Sequence, residues 1–166
     1  MKVAGLSVIG TSILAAALLG LAGIAGGAIA AAKAAPADAN VIVRGGISSA
    51  RLRFHADRRG HVVFLGGSIT EMDGYRPMVS EMLRKRFPET AFTFTSAGIA
   101  STCSTTGAFR LAADVLDRGP VDLAFVEFAV NDDQDTHHTP AECVRGMEGI
   151  VRHLRRACPR ADVVIV

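Results

Sequence analysis

Residues 61–166 combine two patterns of apolar and polar positions, and each pattern predicts a different element. Short apolar or alternating runs, typical of strands, occur in HVVFLGG, AFTFTSAG, VDLAFVEFAV and DVVIV. Between these runs the apolar residues return at helical spacing, starting from Tyr75, from about Thr105 and from Pro140. Strands that alternate with helices predict an α/β protein with a parallel sheet and right-handed crossovers.

Proline and glycine mark the ends of the predicted helices. The pairs at 87–88 and 119–120 should end the first two helices, and Pro159 the third. Residues 139–142, TPAE, combine a capping box with a proline in the first turn and should begin the third helix. Glu127, inside an apolar run, is expected to be paired rather than catalytic. DVVIV closes the sequence, and we expect a chain cut short, because a buried parallel strand is normally followed by a covering element.

The first 39 residues have a composition of their own. Residues 3–32 contain no charged residue and follow a basic one, Lys2, which is typical of a signal peptide; the small-x-small residues at 37–39 suit cleavage. The stretch is also long enough to span a bilayer, which takes about 20 residues. We therefore expect an exported protein, periplasmic or extracellular, or one anchored in the membrane through residues 3–32.

Charge and cysteine content restrict the class of protein further. The sequence carries 18 Lys+Arg and 16 Asp+Glu without a basic stripe, which argues against nucleic acid as a partner. Cys143 and Cys158 fall on one predicted helix, too far apart for a disulfide, so a single bridge would have to include Cys103. Free thiols are the favoured interpretation.

Residues 40–60 are predicted as a linker or edge segment, and residues 61–166 as the domain.

Three loops follow the first three predicted strands: GGSIT, SAGIASTCS and AVNDDQD. If the first strand lies between the other two, these loops meet at the carboxyl edge of the sheet, where doubly wound folds bind ligands. Ser68 would then be a nucleophile at a helix start, and hydrogen bonds from Ser68, Gly98 and Asn131 would stabilise an oxyanion. Taken singly, each residue also suits a helix cap, a turn or an ordinary loop.

Taken together, the loops carry the sequence blocks of a known family. FLGGSIT, SAGIAST and VEFAVNDD resemble, in this order, the nucleophile, glycine and asparagine blocks of the SGNH hydrolases, or GDSL-like lipases and esterases; Ala129 stands where glycine is usual. The resemblance covers residues 61–166. It implies a flavodoxin-like, three-layer, doubly wound parallel sheet, and hydrolysis of an acyl ester of a carbohydrate or lipid without a metal or cofactor. It also implies that Ser68 is catalytic and shares the oxyanion hole with Gly98 and Asn131.

A serine nucleophile needs a base to take its proton. The resemblance places that base in a D-x-x-H block near the C-terminus, and the sequence ends before such a block. We therefore expect weak or no hydrolysis by this chain, with a non-catalytic binding protein that keeps the cleft as the alternative. His137 and His138 are the candidates for a substitute base. These histidines and the nearby aspartates 132, 133 and 135 lack a fixed ligand spacing, so no metal site is expected.

Overall fold

A computed structural model describes residues 41–166 of the chain, and residues 43–166 form one unit. The predicted signal peptide or anchor at 1–39 lies outside the described residues. Among residues 41–166, none of the helices combines the length and the apolar character that a membrane span requires.

The described residues form four strands and five α-helices in alternation. The strands are β1 (Arg59–Gly66), β2 (Ala91–Gly98), β3 (Leu123–Glu127) and β4 (Asp162–Ile165). The helices are α1 (Ser48–Ala56), α2 (Ser68–Glu71), α3 (Tyr75–Arg86), α4 (Ser104–Asp114) and α5 (Pro140–Ala157). A 3-10 turn covers Leu116–Arg118, and a π-helical turn covers Asn131–Asp135. The alternation confirms the α/β class expected from the sequence.

The strands form one parallel sheet in the order β2-β1-β3-β4. The chain passes from β1 to β2 on one side and then crosses to β3 on the other, so the winding reverses at β1. In the register, Gly66 at the end of β1 stands opposite both Gly98 of β2 and Glu127 of β3. The loops that follow these three strands therefore leave the sheet at the same level, as the sequence predicted.

Helices cover both faces of the sheet, which gives the three layers that the family resemblance implied. Val62 and Phe64 of β1 point into a core beneath α1 and α3, while Val63 and Leu65 point into a core beneath α4 and α5. The first core also contains Ala50, Phe54, Leu83, Phe87 and Leu123. The second also contains Ala97, Leu111, Val115, Val121, Ala124, Val126, Phe128, Ile150, Leu154 and Ala161. Burial on both faces explains why β1 and β3 are nearly continuous apolar runs.

The sequence predicted a linker or edge segment at 40–60. This prediction is wrong for residues 48–56, which form helix α1. Its buried face consists of Ala50 and Phe54, both 0% exposed, and the Ala50 N–H donates to Asp162 Oδ2 at 2.8 Å. The rest of the helix is largely arginine, serine and histidine, so two buried positions four residues apart left almost no periodic signal.

The element boundaries elsewhere follow the local signals. The capping box at the start of α5 is present: the Glu142 N–H donates to the Thr139 hydroxyl, and the Thr139 N–H donates to Glu142 Oε2 at 2.8 Å. Helix α5 ends at Ala157, before Pro159. In contrast, the helix that begins at Ser68 has only four residues, and α3 begins separately after Gly74.

Candidate active site

Ser68 lies at a sharp turn between β1 and α2. The turn is held by backbone hydrogen bonds: the Gly67 N–H donates to the Glu127 carbonyl at 3.2 Å, and the Glu71 N–H donates to the Gly67 carbonyl at 3.0 Å. The N-cap of α2 is Gly67, with no side-chain capping bond. Among residues 41–166 the half-buried Ser68 hydroxyl has no hydrogen-bond partner. The serine is therefore not a helix cap, and its hydroxyl is free for another role.

Two glycines before Ser68 are required by close packing. A methyl group at Gly66 would come within 2.5 Å of the Glu127 carbonyl oxygen and would overlap the Thr70 hydroxyl. A methyl group at Gly67 would overlap the side chain of Asn131. Contacts this short do not occur for real Cβ atoms, so only glycine allows β3 and the π-helical turn to approach Ser68 so closely.

Gly98 is also a glycine for reasons of packing. A Cβ at this position would lie 2.6 Å from the Thr70 carbonyl carbon and 2.7 Å from Glu71 Cα, which are backbone atoms of α2. The Glu71 carboxylate also accepts a hydrogen bond from the Ala100 N–H at 3.2 Å. The sequence predicted a role for Gly98 in the oxyanion hole, through a hydrogen bond from its backbone N–H. The structure adds a different reason, which is that the backbone after Ser68 rests directly on this glycine.

Asn131 begins the π-helical turn after β3 and is 1% exposed. Its Nδ2 donates to Asp135 Oδ2 at 2.6 Å, whereas its Oδ1 is buried without a hydrogen-bond partner in the part of the chain that the structure describes. The side chain packs against Gly67, the residue before Ser68. The turn thus fixes an amide group beside the candidate nucleophile, and π-helical turns are frequent at functional sites.

The three residues predicted from the loops are therefore held at one edge of the sheet. Asn131 contacts the turn that carries Ser68, and Gly98 supports the helix that Ser68 begins. A hydroxyl without a partner beside a fixed amide is an arrangement suited to acyl transfer. The oxyanion-hole role of Ser68, Gly98 and Asn131 stays a prediction.

The two candidate substitute bases make contacts elsewhere. His137 is exposed, and its Nδ1 lies 3.2 Å from the Asp133 carbonyl oxygen. His138 is half-buried, and its Nδ1 lies 3.4 Å from Asp132 Oδ1. Neither contact involves Ser68, so their role as a base stays a prediction.

A buried carboxylate lies beneath the Ser68 turn. Glu127 is 3% exposed, and its Oε2 accepts a hydrogen bond from the Thr70 hydroxyl at 3.3 Å. The Thr70 hydroxyl also lies 3.1 Å from the Tyr75 hydroxyl. Glu127 is paired, as the sequence predicted, but with a hydroxyl rather than a cation. The tyrosine was not predicted as part of this site, since no local pattern connects it with Glu127.

Burial raises the pKa of Glu127 above its ordinary value. Hydrogen bonds from the Thr70 hydroxyl and the Gly67 backbone oppose this rise in the pKa, while the negative charge of Asp132 adds to it. Because the folded protein then holds this proton more tightly than the unfolded chain, the stabilisation is complete below the ordinary glutamate pKa. It is lost as the pH rises through the raised pKa.

The Glu127→Gln variant should therefore gain free energy of unfolding relative to the original chain as the pH rises. Urea unfolding from about pH 4 to about pH 8 measures this difference. Glu89→Gln is the matched control, because the Glu89 side chain is 73% exposed. A Glu127→Gln difference that is flat across this range, or as small as that of the control, would contradict a raised pKa.

Comparison with known proteins places this arrangement in context. The sequence pattern described as the GDSL-like Lipase/Acylhydrolase family matches residues 64–166. Among curated protein sequences there is no match. A crystal structure described as a two-domain esterase (CEX) active on acetylated mannans is 33% identical, with a TM-score of 0.59 over 69% of this chain.

Two further solved structures share the fold. AlinE4, described as an SGNH-hydrolase family esterase, is 23% identical with a TM-score of 0.54. Axe2, an acetylxylan esterase from Geobacillus stearothermophilus, is 17% identical with a TM-score of 0.53. Each match covers 64% of this chain. The present chain spans 58% of the length of these two proteins and 33% of the two-domain esterase.

Proposed function

Because the chain belongs to the GDSL-like lipase/acylhydrolase family, we propose that it is a serine esterase in which Ser68 is the nucleophile. The observation that carries the proposal is the Ser68 turn itself. Its hydroxyl is not used as a helix cap, and the turn packs against Asn131 through Gly67. Acyl transfer requires a free hydroxyl and a fixed hydrogen-bond donor near it, and Asn131 Nδ2, which gives one N–H to Asp135, has a second N–H for this role.

The reaction would proceed through an acyl-enzyme. A base takes the proton of Ser68 as its oxygen attacks the acyl carbon, and the carbonyl oxygen becomes an oxyanion. The backbone N–H groups of Ser68 and Gly98 and the Asn131 amide donate hydrogen bonds to this oxyanion. The alcohol leaves with the proton, and water then attacks the acyl-serine to release the acid and restore the hydroxyl.

The proposed substrate is a small acyl ester, in particular an acetylated carbohydrate. The two-domain esterase that is 33% identical to this chain is described as active on acetylated mannans, which supports an acetyl group on a polysaccharide. Such polymers lie outside the cell, which agrees with our proposal that residues 1–39 direct export or anchor the protein. Neither a metal nor a nucleic acid takes part in the proposed reaction.

We expect the 166-residue chain to hydrolyse a small aryl acetate slowly, because His137 Nδ1 lies against Asp133 and His138 Nδ1 against Asp132 rather than against Ser68. Added imidazole should then act as the missing base and raise the rate, provided that Ser68 and the oxyanion donors are in place. The initial rate is measured against imidazole concentration, and the Ser68→Ala variant gives the uncatalysed contribution of imidazole itself. Acetate release from acetylated mannan under the same conditions tests the substrate.

Ser96→Ala is the matched control for Ser68→Ala, because Ser96 is an exposed serine near the carboxyl end of β2, at the same edge of the sheet as Ser68. Ser96→Ala should keep the imidazole-dependent rate, and Ser68→Ala should lose it. An equal response in the original chain and in Ser68→Ala would contradict the proposed nucleophile. If acetylated mannan fragments then bound without turnover, the alternative of a non-catalytic protein that keeps the cleft would be favoured.

A further inference from the structure

Three side chains with metal-binding atoms meet between the loops that follow β2 and β3. Cys103, Asp132 and His138 each present one such atom, and these atoms all lie within 4.8 Å of one another. The residues come from three places in the sequence: Cys103 precedes α4, Asp132 lies in the π-helical turn, and His138 precedes α5. From this geometry we propose that Cys103, Asp132 and His138 bind a divalent transition-metal ion of the zinc type.

The spacing of the nitrogen and oxygen atoms fits such an ion. His138 Nδ1 and Asp132 Oδ1 are 3.4 Å apart, which is long for a hydrogen bond. Two ligand atoms at the usual distances from tetrahedral zinc would lie about 3.4 Å apart, and a thiolate sulfur about 3.6 Å from either of them. The Cys103 sulfur lies within 4.8 Å of both other ligand atoms, so each of these distances needs to shorten by about 1.2 Å or less, and a side-chain rotation supplies such a shift.

Burial around the cluster also points to a ligand. The Asp132 side chain is only 3% exposed, and the His138 side chain 19% exposed. His138 Nδ1 is buried and makes no hydrogen bond among residues 41–166. A buried ring nitrogen without a hydrogen bond costs free energy. Coordination to a metal ion would use this nitrogen and would neutralise the buried carboxylate.

Outer contacts hold two of the ligands in place. The Ser104 N–H donates to Asp132 Oδ1 at 2.8 Å and fixes the carboxylate. The Thr106 hydroxyl lies 3.4 Å from the Cys103 sulfur and can donate to a thiolate. Metal ligands in proteins are usually oriented by outer hydrogen bonds of this kind. The donor set of sulfur, imidazole and carboxylate favours zinc over calcium or magnesium, which prefer oxygen ligands alone.

The ion would join the loop after β2 to the loop after β3. With three protein ligands, the fourth coordination position of the ion would remain open. The three proposed ligands are distinct from Ser68 and from the proposed oxyanion donors. The presence of the metal site can therefore be tested without any activity assay, and its failure would leave the proposed esterase function untouched.

Cobalt(II), the probe, gives a charge-transfer absorption band when a thiolate binds it. The metal-free chain should show this band on titration with cobalt, and zinc should displace it. Cys103→Ser should lose the band, whereas Cys158→Ser, a half-buried cysteine at the far end of α5, should keep it. Ser68→Ala should keep the band, which separates this site from the proposed nucleophile.

His138→Gln provides a second variant in case Cys103→Ser does not fold. It should weaken cobalt affinity by at least about 10-fold, since loss of an outer partner alone has that effect. Zinc should also raise the melting temperature of the original chain but not that of Cys103→Ser or His138→Gln. Absence of the cobalt band in the original chain, or its persistence in Cys103→Ser, would overturn the proposal.

Discussion

The Asn131→Ala variant is expected to lose about 10²- to 10³-fold of the Ser68-dependent, imidazole-supported esterase rate. The Asn131 amide is fixed by its hydrogen bond to Asp135 and by its contact with Gly67, so it should already be in place when the oxyanion forms. A donor arranged in advance stabilises the transition state more than the ground state. The loss should therefore fall on kcat rather than on KM.

Gln134→Ala is the control for Asn131→Ala, because Gln134 lies exposed in the same π-helical turn. Steady-state rates with a small aryl acetate at fixed imidazole measure both variants, and circular dichroism checks that each one folds. A loss in kcat for Asn131→Ala alone supports the oxyanion role. Equal rates in the two variants, or an effect confined to KM, would show that Asn131 serves the fold or substrate binding instead.

The Phe54→Ala variant is expected to lower the free energy of unfolding by about 3–5 kcal/mol. Phe54 is 0% exposed, and its ring lies edge-on to those of Phe87 and Phe92 at 5.3 and 4.9 Å between centroids. Removing the ring leaves a cavity between α1 and the sheet. A loss of this size would show that α1 is an integral part of the domain.

Leu52→Ala is the matched control on the same helix, because Leu52 is 71% exposed. Its effect should stay within about 0.5 kcal/mol, as expected for a surface position. Equilibrium unfolding in urea, with the same slope for all variants, measures both changes. A small loss for Phe54→Ala, similar to that for Leu52→Ala, would mean that residues 48–56 behave as the linker that the sequence suggested.

The sequence predicted correctly the elements that depend on local patterns, and it missed the helix that depends on contacts between residues distant in sequence. The strands and α3–α5 were predicted because burial on both sheet faces and on one helix face leaves a regular apolar pattern. Local chemistry also sufficed for the capping box at Thr139. Helix α1 was missed because only two of its residues face the core, so its position depends on contacts with Phe87, Phe92 and Asp162, which are distant in sequence.

The candidate site shows the same division. Ser68, Gly98 and Asn131 could be selected because they follow strands whose ends meet in a doubly wound sheet. The sequence could not show that Asn131 bonds to Asp135, or that the backbone of α2 rests on Gly98. Such details depend on three-dimensional packing. The cluster of Cys103, Asp132 and His138 also escaped prediction, because Asp132 and His138 share one loop without a characteristic ligand spacing and Cys103 comes from another loop.

Gly66, Gly98 and Glu127 stand at one level of the sheet. The residues proposed for catalysis therefore lie next to fixed strand ends, whereas the residues that would contact the rest of the substrate lie farther along the loops. The proposed nucleophile and oxyanion donors are held by the hydrogen-bonded strand ends, while side chains farther along each loop can vary in length and character. In the proposed esterase, exchange of the outer parts of these loops would change the preferred alcohol. The bond-breaking geometry would be inherited unaltered.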